Sequence, residues 1–204
     1  MKHTATLDTI IAESLERAIG YPEYRRVVHD LAEAGRTSGH EKTEEMANYT
    51  KLNDSRMKRW DKTLRLSEAQ VVKIKSLNSS QIWLVIAESW CGDAAHVIPV
   101  LNKITEASEY IDLKLVFRDE NEALMNQFLT NGAKSIAKLI MIDKDSGEVL
   151  HSFGPRPSSA TKLVNNYKTK HGSITPEFKE ELQLWYNKDK GQAVISDIIE
   201  LLDL

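Results

Sequence analysis

Hydrophobic residues recur at helical spacing through the first 80 residues of the chain. The spacing predicts a first helix from Leu7 to Ile19, which Gly20 would end. Pro22 is then well placed to open a second helix, because proline favours the first helical turn. We therefore expect residues 1–80 to form a helical extension and not strands of a sheet.

A longer helix is predicted between about Thr43 and Leu64, and Ser67 could cap a short fourth one. The segment from Lys51 to Arg65 carries more cations than acids. Such a face could meet nucleic acid or an acidic partner. No interleaved aromatic residues or recognised binding motif accompany the charge, so we favour a solvated face over a core stripe.

The pattern changes to strands after residue 80. Residues 82–87 form a continuous apolar run, which is typical of a strand buried on both faces of a parallel or mixed sheet. Residues 111–117 alternate between apolar and polar. Residues 138–142 and 148–153 flank a polar turn and predict a hairpin.

Helices are predicted between and after these strands. One begins near Asp93, and a second runs from about Asn121 to Thr130, where Asn131-Gly132 is a good stop signal. Three more helices are predicted after the hairpin. We divide the chain into a helical extension, an α/β domain and C-terminal helices packed on that domain, at residues 1–80, 81–171 and 172–204.

The composition is that of an ordinary globular protein. The chain has 204 residues, of which 41% are hydrophobic and 28% are charged, with a formal net charge of -3. This balance gives no general attraction to nucleic acid or to anionic membranes, so we expect neither as a partner. The sequence does not indicate an oligomeric state.

Three features favour the cytoplasm. The segment from Met1 to Gly20 has acids among its apolar residues, unlike a secretory signal. No apolar run is long enough to span a bilayer. Cys91 is the only cysteine, and a lone free thiol is typical of a reducing compartment.

The motif Trp90-Cys91-Gly92-Asp93-Ala94 follows the apolar strand directly. It resembles the active-site turn of thioredoxins with the second, resolving cysteine changed to alanine. Pro99 lies eight residues after Cys91, as it does in that family. The chain resembles a bacterial thioredoxin-family group with this turn and a helical N-terminal extension. The resemblance implies a thioredoxin-like α/β fold: a central mixed sheet flanked by helices, with N-terminal and C-terminal helices added.

The chemistry of Cys91 depends on opposing influences. A cysteine at the start of a helix faces unpaired N–H groups and the positive end of the helix dipole, which favour the thiolate. The charge of Asp93 would disfavour it. The sequence leaves the sign of the pKa shift undecided. Gly92 and Asp93 are candidate substrate contacts, and Trp90 either shapes a substrate surface or covers the sheet.

Arg118 and Arg156 are candidate anion ligands, because the resemblance puts both near the active-site edge of the sheet. The alternative, which we favour, is that they are solvated or paired with neighbours such as Asp119 and Glu120. His96 could assist proton transfer, although a surface histidine is the favoured interpretation.

Three positions depart from the thioredoxin pattern. Ala94 replaces the resolving cysteine, and Val85 replaces a buried aspartate that helps proton transfer. Ala137 follows Ile136 where the family has its cis-proline. A non-prolyl cis bond costs roughly 2.5 to 4 kcal/mol, so we expect this peptide to be trans and substrate docking on the Ile136-Ala137 loop to be altered.

Two functions are compatible with these residues. In the first, Cys91 is the catalytic thiol of a monothiol redox protein that attacks a disulfide or a peroxide, and an external low-molecular-weight or protein thiol resolves the adduct. In the second, the chain is a redox-inactive interaction module. We expect no cofactor, and no metal because one cysteine and His96 are too few ligands.

Overall fold

The computed structural model describes residues 6–204, so residues 1–5 of the predicted extension lie outside the described part. Its sheet has the strand order β2-β1-β3-β4. Strand β1 is parallel to β2 and antiparallel to β3, and β3 is antiparallel to β4. The strands are β1 (Gln81–Ala87), β2 (Ile111–Phe117), β3 (Lys138–Asp143) and β4 (Val149–Phe153). The predicted α/β fold with a mixed sheet is confirmed.

Helices lie before, between and after the strands. A 3-10 turn at Arg118–Glu120 follows β2. The helices are α1 (Leu7–Glu16), α2 (Tyr21–Glu33), α3 (Glu44–Thr63), α4 (Glu68–Lys75), α5 (Gly92–Thr105), α6 (Glu122–Gln127), α7 (Ser158–His171), α8 (Pro176–Asp189) and α9 (Gln192–Leu201).

Strand β1 is the centre of the molecule. Residues Trp83 to Ala87 are fully buried, because helices cover both faces of the sheet here. Val85 lies opposite Leu115 on one side and Leu139 on the other. A continuous apolar run in the sequence therefore marks a strand that lies between two neighbouring strands and is covered on both faces.

The helical extension touches the sheet edge, which the sequence did not predict. Helix α1 ends at Glu16, three residues before the predicted end at Ile19. Ile19 instead exchanges two backbone hydrogen bonds with Leu115 of β2, at 2.9 and 2.8 Å. The extension thus protects part of the outer edge of β2, where unpaired backbone groups would otherwise face solvent.

Local signals explain where several helices begin and end. The Ser67 hydroxyl accepts from the Gln70 N–H at 3.3 Å, and the Gln70 side chain accepts from the Ser67 N–H at 2.9 Å, so the predicted cap is present. Helix α6 is shorter than predicted. Its chain leaves the helix at Phe128, and Thr130 and Ala133 then pair their backbones across a tight turn.

The described residues form two hydrophobic clusters. The larger one joins the sheet to the helices on both of its faces. The smaller one lies between α7 and α8, and its buried members are Ala160, Val164, Phe178, Leu182 and Tyr186. Tyr186 also reaches the start of α5, so it links the C-terminal helices to the region that carries the cysteine.

Candidate functional site

Cys91 lies where the carboxyl end of β1 turns into α5. It is the N-cap residue of that helix, with extended backbone dihedrals. The parallel neighbour β2 ends at the same edge of the sheet, so Arg118 follows Phe117 close to the cysteine turn. Ligands collect at such edges of α/β sheets, which makes this edge the candidate functional site.

The thiol of Cys91 is enclosed and hydrogen-bonded. Only 7% of the residue is exposed. Its Sγ donates to the carbonyl oxygen of Ile136 at 3.2 Å and accepts from the N–H of Ala94 at 3.4 Å. A sulfur that donates to a carbonyl oxygen must keep its proton, so the geometry describes a neutral thiol.

The electrostatics of the site also favour the neutral form. Burial raises the pKa of Cys91 to about 12, and the charge of Asp93 contributes in the same direction. The N–H groups of Ala94 and Asp93 and the charge of Arg156 lower the pKa, but by less. The balance that the sequence left open therefore goes against the thiolate, because desolvation outweighs the helix terminus.

Asp93 is tied to two other elements. Its Oδ2 accepts from Arg156 Nη2 at 2.7 Å, and its Oδ1 accepts from the Tyr186 hydroxyl at 2.9 Å. The side chains of Arg156 and Asp93 are 23% and 10% exposed. Burial raises the pKa of Asp93, and these two contacts offset only part of that shift. Arg156 thus neutralises an internal carboxylate.

Arg118 is also paired. Its Nε donates to Asp119 Oδ1 at 2.8 Å, and its guanidinium carbon lies 5.0 Å from the centre of the Trp90 ring. Trp90 is half-buried beneath it. A cation over an indole face is held by electrostatic attraction to the ring. Both candidate anion ligands therefore already have carboxylate partners.

The peptide bond between Ile136 and Ala137 is cis. The prediction of a trans bond is wrong, because it weighed only the local preference of the bond. Surrounding contacts fix this backbone: Cys91 donates to the Ile136 carbonyl, and the Ala137 carbonyl lies against Gly154. Both Ile136 and Ala137 are buried, and their loop lies directly against the cysteine.

The helical extension supplies a polar network behind the cysteine turn, which sequence reasoning missed. Asn53 Nδ2 donates to the Ser89 carbonyl at 2.8 Å, and Thr50 Oγ1 lies 2.8 Å from the Ser89 hydroxyl. The buried carboxylate of Glu88 accepts from the Ser38 hydroxyl and from the Asp119 N–H. The polar run Glu88-Ser89 after an apolar strand was the available signal.

His96 is buried, so the expectation of a surface histidine is wrong. It is 1% exposed and its ring stacks on Tyr186 at 4.4 Å. Trp60 Nε1 donates to its Nδ1 at 2.9 Å, which places the ring proton on Nε2, 2.8 Å from Gln183 Oε1. Burial is the main cause that lowers its pKa to about 3. His96 is thus a neutral packing residue.

Gly92 is the first residue of α5, and it lies between α3 of the helical extension and α8 of the C-terminal helices. A Cβ on Gly92 would lie 3.6 Å from the Gln183 side chain of α8 and 3.7 Å from Arg56 Nη1 of α3. Arg56 donates to Asn53 Oδ1 at 2.8 Å. The first turn of α5 is therefore flanked by a guanidinium and an amide that no motif in the sequence indicated.

The chain matches a thioredoxin family model over residues 39–168. It belongs to the thioredoxin family. The match includes α3 as well as the sheet, so this part of the extension lies inside the region that the family model covers. A comparison with curated proteins gives no match.

Two solved structures resemble this thioredoxin-family protein. A protein of unknown function from Pseudomonas aeruginosa has a TM-score of 0.60 at 13% identity, and the match covers 98% of each chain. An HIV epitope-scaffold has a TM-score of 0.57 at 16% identity, covering 91% of this chain and 98% of the scaffold. At such identities the likeness shows the fold alone.

Two positions that depart from the thioredoxin pattern are buried in this thioredoxin-family protein. Ala94, at the position of the resolving cysteine, is buried, and so is Val85.

Between residues 6 and 204, no group of three or more His, Cys, Asp or Glu side chains could hold a metal ion. In the same part of the chain, no helix is long and apolar enough to cross a membrane.

Proposed function

We propose that this chain is a binding member of the thioredoxin family in which Cys91 is a structural thiol and not a nucleophile. The observation that carries the proposal is the hydrogen bond from Cys91 Sγ to the Ile136 carbonyl in an enclosed site. The thiolate is the nucleophilic form of cysteine. With a pKa of about 12, about one thiol in 10⁵ is ionised at pH 7.

The neighbours of Cys91 support the same proposal. Ala94 offers no second thiol, and Val85 offers no carboxylate for proton transfer. Deprotonating Cys91 would place a negative sulfur beside the Ile136 carbonyl oxygen and the Asp93 carboxylate, and both interactions are unfavourable. The fold position is retained while the groups that assist the reaction are absent from it.

Binding would use the polar groups around the cysteine turn. Trp90 is half-buried under Arg118, and Gly92 is flanked by Arg56 and Gln183. These groups converge at the edge where ligands bind in open α/β sheets. As parts of the same proposal, we place the protein in a bacterial cytoplasm and treat nucleic acid and membranes as unsuitable partners.

A monothiol redox protein is the second candidate. The contact from the Ala94 N–H to Cys91 Sγ favours it, because such contacts stabilise a thiolate. In this candidate the Cys91 thiolate attacks one sulfur of a disulfide, the other sulfur leaves as a thiolate, and an external thiol then releases Cys91 by the same exchange. A protein disulfide or a low-molecular-weight disulfide would be the substrate.

The rate of Cys91 alkylation by iodoacetamide between pH 6 and pH 11 distinguishes the two candidates. Cys91→Ser is the blank, and the same protein unfolded in urea is the reference for an unprotected thiol. We expect the folded protein to react at least about 100-fold more slowly at pH 7.5, with an apparent pKa well above the ~8.5 of a free thiol. A folded thiol that reacts faster than the unfolded one would overturn the binding proposal in favour of the monothiol.

A further inference from the structure

We propose that Arg56 and Arg59 of α3 bind the phosphate group of a small-molecule ligand beside the Cys91 turn. The two residues lie three positions apart in one helix, so their side chains leave it on neighbouring paths. Arg59 reaches α8, where its Nη2 donates to Asn187 Oδ1. The inference rests on the proposed binding function and names the chemical class of its ligand.

Neither arginine has a carboxylate partner in the described part of the chain. Arg25, Arg118 and Arg156 all form ion pairs with aspartates, at 2.7 to 3.0 Å. Arg56 and Arg59 instead each donate to a side-chain amide, that of Asn53 and that of Asn187. The fold therefore pairs its other half-buried arginines with aspartates, whereas half-buried Arg56 and its exposed neighbour Arg59 have no carboxylate partner.

Most of the hydrogen-bonding capacity of the two guanidinium groups is unused within the protein. A guanidinium has five N–H donors in a planar fork, and each of these groups gives one side-chain hydrogen bond. Arg56 is half-buried, and its pKa is lowered by burial and by the charge of Arg59. Two like charges held together without an acid are stabilised by a bound anion.

The position of Arg56 connects this pair to the candidate site. Its Nη1 lies 3.7 Å from the place that a Cβ on Gly92 would take, and the Gln183 amide lies 3.6 Å from the same point. Gly92 has no side chain, so the Arg56 guanidinium and the Gln183 amide both lie close to the first turn of α5 here.

The charge and geometry favour phosphate over a carboxylate. A phosphate monoester carries close to two negative charges near neutral pH and offers three terminal oxygens, so it can accept from both forks and neutralise both cations. A carboxylate would leave one cation uncompensated. His96 stays neutral near pH 7, because burial lowers its pKa to about 3, so the two arginines supply the positive charge. Trp60 supports Arg59, whose guanidinium carbon is 5.5 Å from the indole centre.

Titration of the 15N-labelled protein with inorganic phosphate, at constant ionic strength set with sodium chloride, tests the proposal. We expect saturable shifts of the Gly92 amide and of the Arg56 and Arg59 side-chain signals. Arg56→Gln and Arg59→Gln should each weaken phosphate binding about tenfold or more, because each removes a guanidinium that would donate charge-assisted hydrogen bonds to the phosphate. Shifts that grow linearly without saturation would overturn the proposal.

A matched variant separates this site from general attraction to a basic helix. Lys58→Gln removes one exposed cation from the same helix and should change the affinity less than twofold. Equal weakening by Lys58→Gln and Arg59→Gln would overturn the site. Arg59 is exposed, so its variant is expected to fold even where Arg56→Gln does not.

Two further measurements assign the ligand class and keep the proposals distinct. Free phosphoserine should bind at least as tightly as inorganic phosphate, whereas acetate should bind at least about tenfold more weakly; equal binding of acetate would overturn the phosphate assignment. Cys91→Ser should bind phosphate as the parent does. Phosphate binding is thus measured without reference to thiol reactivity, so either proposal can fail alone.

Discussion

The thiol of Cys91 donates a hydrogen bond to the carbonyl oxygen of Ile136, with 3.2 Å between Sγ and O. The contact joins the start of α5 to the loop that precedes β3. It ties the sulfur proton to the backbone of that loop, so the protonation state of Cys91 and the position of the loop depend on each other. The effect of nearby charged groups on the stability of the thiolate should therefore be measurable as a change in the reactivity of Cys91.

Asp93→Asn should increase the reactivity of Cys91. Burial is the largest cause of its raised pKa and the Asp93 charge is the next, so removing that charge lowers the pKa. It also leaves Arg156 as an unpaired cation near the thiol, which acts in the same direction. We expect roughly tenfold faster alkylation at pH 9, corresponding to about one pKa unit. Asp145→Asn, on an exposed turn, is the control, and an equal rise in both variants would contradict the assignment.

The ion pair between Asp93 and Arg156 should stabilise the fold through its burial. Arg156→Gln leaves the Asp93 carboxylate with only the Tyr186 hydroxyl as a side-chain donor. Breaking a buried pair costs about 3–5 kcal/mol, and the partial exposure of Arg156 reduces our expectation to about 2 kcal/mol. Urea unfolding measures this loss in the free energy of unfolding. Arg26→Gln breaks the exposed pair with Glu23 and should cost less than about 0.5 kcal/mol.

A double-mutant cycle tests whether this effect belongs to the pair. Asp93→Asn together with Arg156→Gln should be less destabilising than the sum of the two single changes, because the second removes a charge that the first left unpaired. Additive losses would show that Arg156 stabilises the protein by other contacts.

His96 should make the protein less stable in acid. Its pKa in the folded protein is about 3, below its usual 6.5, so between these values the unfolded chain binds a proton that the folded chain does not. Stability from this group is full above about pH 6.5 and falls as the pH decreases towards 3, by up to about 1.4 kcal/mol for each pH unit. Urea unfolding at pH 7.5, 6.0 and 4.5 measures the slope.

The variant His96→Gln should have a shallower slope over this pH interval than the parent, even where its stability at pH 7.5 is reduced. His151→Gln, which removes an exposed histidine of β4, should keep the slope of the parent. The same slope in the parent and in His96→Gln would show that other groups cause the acid sensitivity.

Gly154→Ala should disrupt the loop that faces Cys91. Gly154 has φ of +109°, and a Cβ there would lie 2.2 Å from the Ala137 carbonyl oxygen. Backbone must move to relieve this overlap, so we expect a loss of about 3 kcal/mol or more in the free energy of unfolding. Gly147→Ala is the matched control: φ is +75° with nothing within 4 Å, and about 1 kcal/mol is expected. Similar losses in both variants would contradict the overlap.

Much of the fold could be predicted because its signals are local. The apolar run that became β1, the hairpin of β3 and β4 and the cap at Ser67 each depend on residues adjacent in sequence. The end of α1 was placed wrongly because Ile19 pairs with Leu115 on a distant strand. Tertiary pairing can override a local pattern, and the pattern itself contains no sign of the partner.

The candidate site was less predictable because its contacts are long-range. The position of Cys91 follows from the motif, but its raised pKa comes from enclosure and from Asp93. Arg156 pairs with Asp93 and not with an acid beside it in sequence. The contacts of His96 come from Trp60 and Gln183 on two added helices, which no local pattern could reveal.

The hydrogen bond from Tyr186 to Asp93 joins residues 93 positions apart. During synthesis on the ribosome, the strands and α5 emerge well before α8, so Asp93 spends that time without this partner. The surroundings of Cys91 reach their final form only after nearly the whole chain has left the ribosome. A chain released early, without α8, would lack the Tyr186 hydroxyl that donates to Asp93, two residues from this thiol.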